Sequence, residues 1–201
     1  VTINNGGTLA FGHFNQLSKD GSIPDVVVNS GGVIDSSATV TTFDNLTLNG
    51  GTLESKGGLN TAWGSFVVLD AVTVTADSLI EDVSGSDNLI TPGDFNGNRT
   101  LTFDIASGVT LTNELGIADY NSGAGNTYSI VKDSDGTLTQ ANAESNAYSG
   151  TLTVSDGTLR EVTVGDGTAA SLNNPDWTRP MSETTIADGA RLIIDTTSYT
   201  D

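Results

Sequence analysis

The sequence predicts an all-β protein built as a parallel β-helix (β-solenoid) of about eight rungs. Three observations support this prediction: a strand–turn–strand unit recurs along the whole chain, its turns contain glycine or aspartate, and no stretch has a helical hydrophobic period. The clearest copy runs from Leu46 to Leu53 and has the sequence LTLNGGTL. In chain order, the eight copies cover Ile3–Leu9, Val28–Ile34, Leu46–Leu53, Val74–Leu79, Ile105–Leu111, Asp135–Leu138, Val154–Leu159 and Ile186–Leu192.

Each unit places branched apolar residues on one face of a strand and Thr or Asn on the other, and then turns sharply. One such strand cannot bury its apolar face, but stacked coils can, and glycine supplies the positive-φ conformations that a sharp corner needs. The corners recur at intervals of 20 to 32 residues, which is the spacing of solenoid repeats. We assign them to Gly6, Gly31, Gly51, Asp77, Gly108, Gly136, Gly157 and Gly189.

The alternative fold is an antiparallel β-sandwich. Dipeptides such as Asn49-Gly50 and Asp156-Gly157 also suit the two-residue turns of hairpins. The β-helix is favoured because the unit recurs as a whole coil and its spacing varies through inserted loops, which are longest in the second half. We expect residues 1–201 to form one solenoid domain, which would be a processed chain or part of a longer exported protein.

Composition limits the classes of partner. The chain has 25 acidic and 7 basic residues, a net charge of −18. Nucleic acid is therefore not an expected partner, because binding its phosphates needs a basic face. No apolar stretch is long enough for a membrane helix, so we expect no membrane insertion. Cysteine is absent, so stacking rather than disulfides would stabilise a secreted chain.

Catalysis is not expected, and no catalytic residue is assigned. His13 is the only histidine, and the nucleophile-elbow pattern Gly-x-Ser-x-Gly does not occur. Many β-helices cleave acidic polysaccharides, but a hydrolase needs clustered carboxylates, and Glu81-Asp82 is the only adjacent acidic pair. A polysaccharide lyase or hydrolase is therefore the least favoured alternative.

One corner has the oxygen ligands of a calcium site. Asp133, Asp135 and Glu144 have the spacing of positions 1, 3 and 12 of an EF-hand loop, although Leu138 stands where that loop needs glycine. We expect no cofactor and assign no metal site, and calcium at this corner is the alternative.

Aromatic residues in or beside the insertions suggest a second function. An exposed ring can stack on the face of a sugar while nearby Asp and Asn side chains bind its hydroxyl groups. Glycan binding is therefore the main alternative function. Its candidate residues are Trp63, Tyr120, Tyr148 and Trp177.

The units Val1–Leu9 and Leu46–Leu53 resemble the autotransporter-associated β-strand repeat, which occurs in passenger domains of bacterial autotransporters and related giant exported proteins. The resemblance implies an extracellular or cell-surface β-solenoid, typically an adhesin, matrix or stalk element. That motif is a folding signature, so no functional residue carries over from it.

We therefore expect a structural or adhesive module of a bacterial surface protein or fibre. Both ends of the sequence are strand-like, and an unpaired strand is a template for further pairing. The expected partners are a second copy in an end-to-end filament or the neighbouring repeats of a longer chain, and a glycan in the alternative function. The residues assigned to these assembly edges are Val1, Ile3, Leu192 and Ile194.

Overall fold

A computed structural model confirms the parallel β-helix. It describes residues 1–11, 22–36, 40–56, 66–83, 89–92, 98–118, 127–141, 148–165 and 183–198. Every ladder between two of its strands is parallel, which rules out the antiparallel sandwich for this part of the chain. The long insertions predicted in the second half fall largely outside the described residues.

Two sheets of eight strands run the length of the stack, and a third sheet of four strands covers its middle. The first sheet contains β1 (Thr2–Ile3), β3 (Val26–Asn29), β6 (Leu46–Asn49), β9 (Ala71–Ala76), β12 (Arg99–Ile105), β15 (Tyr128–Asp133), β17 (Thr151–Val154) and β19 (Glu183–Ile186). The second contains β2 (Thr8–Ala10), β4 (Val33–Asp35), β7 (Thr52–Ser55), β10 (Ser78–Asp82), β13 (Thr110–Asn113), β16 (Thr137–Gln140), β18 (Thr158–Gly165) and β20 (Arg191–Ser198). The third contains β5 (Thr41–Phe43), β8 (Phe66–Val68), β11 (Leu89–Pro92) and β14 (Gly116–Ile117).

A rung is one strand of the first sheet, a corner, and the next strand of the second sheet. Rungs two to five add a strand of the third sheet. Each of the eight sequence copies covers all or part of the corner of one rung, so the predicted rung number is confirmed.

The core consists of side chains stacked in columns along the axis. In the first sheet Val26, Leu46, Val72 and Phe103 lie in register on successive rungs, and all four are fully buried. Each such buried side chain contributes about 1.5–3 kcal/mol of transfer free energy. The alternation of apolar and polar residues read from the sequence therefore matches the inward and outward faces.

The corners are joined by a recurring hydrogen bond. In most rungs, the first N–H of the second-sheet strand donates to the carbonyl of the last corner residue in the preceding rung. The Val33 amide thus donates to the Gly7 carbonyl at 3.0 Å, and the Thr158 amide donates to the Gly136 carbonyl at 3.0 Å. This contact holds successive corners about one strand spacing apart.

Two corner glycines differ from the sequence assignment. Positive φ occurs at Gly50 rather than Gly51, and at Ser134 (φ 62°) rather than Gly136. Gly51 and Gly136 are needed for space instead: a Cβ at Gly136 would lie 2.4 Å from the Ala106 carbonyl oxygen of the rung below. Close stacking of corners, as well as backbone conformation, therefore selects glycine.

Two substitutions separate the steric requirement for glycine at a corner from the conformational one. Gly136→Ala forces a contact with backbone that cannot move independently, and we expect it to lower the free energy of unfolding by about 3 kcal/mol or more. Gly108→Ala has open space around the new Cβ and only its φ of 74° opposes it, so a loss of about 1–2 kcal/mol is expected. Urea unfolding followed by circular dichroism measures both, and equal losses would contradict the steric explanation.

Candidate functional site

The predicted sugar-stacking residues do not form a described site. Tyr148 is only 4% exposed and packs in the main hydrophobic core, so its assignment as an exposed stacking ring is wrong. Trp63, Tyr120 and Trp177 lie outside the described residues. His13, the one candidate base in the sequence, also lies outside them.

A lysine lies against the corner that contains the candidate calcium ligands. The Lys132 ammonium donates to the carbonyl oxygens of Asp133 and Ser134, each at 2.7 Å, and to that of Asp156 at 3.3 Å. The carboxylate of Asp135 accepts a hydrogen bond from the Ser107 hydroxyl at 2.7 Å. The Lys132 ammonium therefore places a positive charge beside the corner that contains Asp133 and Asp135.

Metal ligands do not converge at this corner or elsewhere in the described residues. No group of three or more acidic, histidine or cysteine side chains is close enough there to hold a metal ion. Asp133 and Asp135 are exposed, and Glu144, the third predicted ligand, lies outside the described residues.

Lys132 itself is a core residue that the sequence analysis missed. It is fully buried and lies in register between Phe103 and Val154 in the first sheet. Burial lowers the pKa of its ammonium from the ordinary value, and the nearby carboxylates of Asp133 and Asp156 oppose that shift. The alternation Tyr-Ser-Ile-Val-Lys in β15 already places Lys132 on the inward face, so the signal was present.

A column of three polar side chains lies inside rungs five to seven. Asn113, Gln140 and Glu161 follow one another in register on the inward face of the second sheet. The Asn113 amide donates to the Gln140 side-chain oxygen at 2.7 Å and to the Leu115 carbonyl at 3.0 Å. The Gln140 amide donates to the same carbonyl at 2.5 Å, so the first two members are joined by hydrogen bonds.

Glu161 is the buried acid of this column. It is 4% exposed, and burial raises the pKa of its carboxyl group from 4.5 to about 7. Burial, and to a lesser extent the charge of Glu161, also raises the pKa of the Tyr148 hydroxyl. A raised pKa can mark a catalytic acid, but this carboxyl lies inside the stack and not at a cleft, so its effect is on stability.

Acidic residues also stack on the outward side of the second sheet. Asp35, Glu54 and Glu81 occupy adjacent register positions on rungs two to four. Lys56 forms ion pairs with Asp35 at 2.9 Å and with Glu54 at 2.5 Å. The carboxylates of Glu54 and then Asp35 raise the pKa of Lys56, so this lysine offsets part of the repulsion between like charges in neighbouring strands.

The predicted assembly edges lie on the terminal rungs. Val1 is 52% exposed and Ile194 is 42% exposed, whereas Ile3 is buried and Leu192 is half-buried. Ile186, which the sequence analysis did not single out, is 47% exposed on β19.

The corner of rung four departs from the other corners. Asp77 is its only residue, between β9 and β10, and the carboxylate of Asp77 accepts the Thr110 amide at 2.8 Å. A side-chain oxygen thus replaces the corner carbonyl that accepts this amide elsewhere. The Ser78 hydroxyl accepts the Gly50 amide at 3.1 Å and donates to the Ala76 carbonyl at 2.7 Å.

The buried carboxyl group predicts a pH dependence of stability. Because the pKa of Glu161 is higher in the folded state, the folded chain holds a proton that the unfolded chain has already lost between about pH 4.5 and 7. Its contribution to stability is therefore complete below about pH 4.5 and is lost as the pH rises through about 7, by roughly 3 kcal/mol in all. Glu161→Gln, which extends the Asn113–Gln140 column with a neutral amide, should remove this loss. Urea unfolding of both proteins across this pH range measures it, and parallel pH profiles would contradict it.

Comparison with known proteins gives no relative from which a function could be transferred. No protein-family model, curated protein or solved structure matches this chain. Membrane-spanning helices are also absent from the part of the chain that the structure describes. The functional argument therefore depends on the geometry of the chain itself.

Proposed function

We propose that this chain is an extracellular structural or adhesive β-solenoid module of a bacterial surface protein or fibre. The observation that carries the proposal is that, in the described residues, both long sheets end in strands with one partner each. The terminal strands are β1 and β19 in the first sheet and β2 and β20 in the second. Such edges favour the addition of further rungs. The added rung belongs either to a neighbouring repeat of a longer chain or to a second copy.

The last described rung exposes apolar side chains that a further rung would cover. Ile186 and Ile194 are 47% and 42% exposed, although Val154 and Glu161, which lie in register with them on rung seven, are buried. Covering them with another rung removes apolar surface from water at about 25 cal/mol per Å².

The backbone of this rung also supports continued pairing. The Ala187 amide donates to the Val154 carbonyl and the Arg191 amide donates to the Gly157 carbonyl, both toward rung seven. Because successive N–H groups of a parallel strand point to opposite sides, those of Ile186 and Leu192 point away from rung seven. A further rung would accept them.

The first and last rungs match each other at the corner. Each has a four-residue corner, at 4–7 and 187–190, with positive φ at its third residue: 73° at Gly6 and 88° at Gly189. Stacking one corner on the other places Ile3 over Ile186. Two corners of equal length and similar conformation can follow the same path without a bulge.

Side-chain charge on the first rung does not oppose the stacking of the first rung on the last. Residues 1–11 contain no acidic or basic side chain, in a chain whose net charge is −18. The first rung is therefore a surface on which the repulsion between copies or repeats is small.

Electron microscopy of the material isolated undenatured from its source tests the proposal. One copy contributes eight rungs of about 4.8 Å, roughly 35–40 Å of rod. We expect cell-surface rods or filaments several times that length, whose position immunogold labelling establishes. Compact particles confined to the cytoplasm would contradict the proposal.

A matched pair of variants tests the edge. Ile194→Lys places a charge at an inward position of the terminal rung, and we expect it to stop end-on growth of the isolated chain. Val83→Lys changes a residue of similar exposure (48%) that lies away from the terminal rungs, and it should behave as the wild type. Light scattering measures the growth. If the two variants change it equally, end-on stacking through this edge is excluded.

A further inference from the structure

The short corner of rung four leaves a recess on the outside of the stack. Rung five has four corner residues, 106–109, whereas rung four has only Asp77. The corner of rung four therefore projects less far from the stack than that of rung five. The recess has a volume of about 490 Å³ and spans rungs three to five. It is a shallow groove that is largely open to solvent.

The floor of the recess alternates hydroxyl and apolar groups along the axis. Thr52, Leu79 and Thr112 are in direct register on three successive rungs and are all half-buried. They extend over about 10 Å. The exposed carboxylate of Asp77 and the hydroxyl of Thr110 lie beside them.

The polar groups of the recess are held in place by the corner. The Asp77 carboxylate is fixed through Oδ1 by the Thr110 amide at 2.8 Å. The strands that carry the threonines are interior strands, each paired on both sides, so the recess is preformed.

We propose that this recess binds a neutral, hydroxyl-rich ligand, an uncharged oligosaccharide segment. Threonine hydroxyls and a carboxylate are partners for sugar hydroxyl groups, and Leu79 offers an apolar surface to the C–H face of a sugar ring. This site does not use the aromatic residues of the insertions, and it goes beyond the structural role proposed above without depending on it.

Other ligand classes fit less well. An extended peptide cannot add as a strand, because β7, β10 and β13 already have partners on both sides. An anionic ligand meets Asp77, and none of the described lining residues is a lysine or arginine. A divalent cation needs several charged oxygen ligands, and among the described residues that line the recess only Asp77 has a carboxylate.

A hydroxyl deletion with a matched control tests the site. Thr112→Val removes a hydroxyl from the recess while keeping the shape of the side chain. Thr139→Val makes the same change on the next rung of the same outward column, outside the recess. The probes are cellotetraose and mannotetraose, with tetragalacturonate as the charged comparison, titrated into ¹⁵N-labelled protein and followed by NMR.

We expect a neutral tetrasaccharide to shift the amide resonances of Thr52, Leu79 and Thr112. The variant Thr112→Val should weaken its binding about five- to tenfold, as expected for the loss of one hydrogen bond, while Thr139→Val leaves it unchanged. Tetragalacturonate should bind more weakly than either neutral probe. The proposal is overturned if neither neutral probe binds at millimolar concentration, if the shifts lie elsewhere, or if the two variants have equal affinity. Because the isolated chain is titrated, failure here leaves the electron-microscopy result on the structural role unaffected.

Discussion

The close stacking of one corner on the next is the constraint on which the rest of the structure depends. The distance between strands in a parallel sheet is fixed at about 4.8 Å by backbone hydrogen bonds. The corners must therefore approach as closely as the strands do. At Gly136 this leaves no room for a Cβ, since the Ala106 carbonyl oxygen would lie 2.4 Å away. At the one-residue corner of rung four, the Asp77 carboxylate accepts the Thr110 amide of the next rung in place of a corner carbonyl.

The same constraint explains how the stack tolerates polar groups in its interior. A corner exposes carbonyl oxygens toward the inside of the coil, and the Lys132 ammonium lies on three of them. Hydrogen bonds of this kind offset part of the cost of burying a charge. The column containing Glu161 lies in rungs five to seven, where the third sheet ends with β14. In the described residues, the inward-facing amide, ammonium and carboxyl side chains thus lie from rung five onward, whereas the buried polar residues of rungs two to four are mainly Ser and Thr.

The sequence predicted the fold well because the repeat encodes it locally. Units such as Leu46–Leu53 contain both the inward residues and the turn, so the number of rungs followed from counting copies. The third sheet was not predicted, because its strands are short and do not recur with the corners. The sequence suggested positive φ as the reason for glycine at positions 51 and 136, and this was wrong. The reason is the close approach of the neighbouring rung, which involves residues more than 20 positions apart and is not visible in the local sequence.

The candidate sites were harder to predict than the fold. Tyr148 looked like a loop residue because no alternating pattern surrounds it, yet its side chain is buried. Lys132 and Glu161 were overlooked because charged residues are normally assigned to the surface, although the alternation in β15 and β18 places both inward. The recess at rung four arises from a difference in corner length between neighbouring rungs, and so requires the register of three strands to be known.

The most direct test of the parallel stack is a distance between its ends. The chain has no native cysteine, so spin labels attached to Thr2→Cys and Thr185→Cys report only those two positions. Thr2 lies on β1 and Thr185 on β19, the first and eighth strands of one sheet. Seven spacings of about 4.8 Å predict a separation of roughly 34 Å between their backbones. A single narrow distribution of label distances near this value, measured by double electron–electron resonance, would support the eight-rung stack. A distribution centred below about 20 Å, or one without a defined maximum, would contradict it.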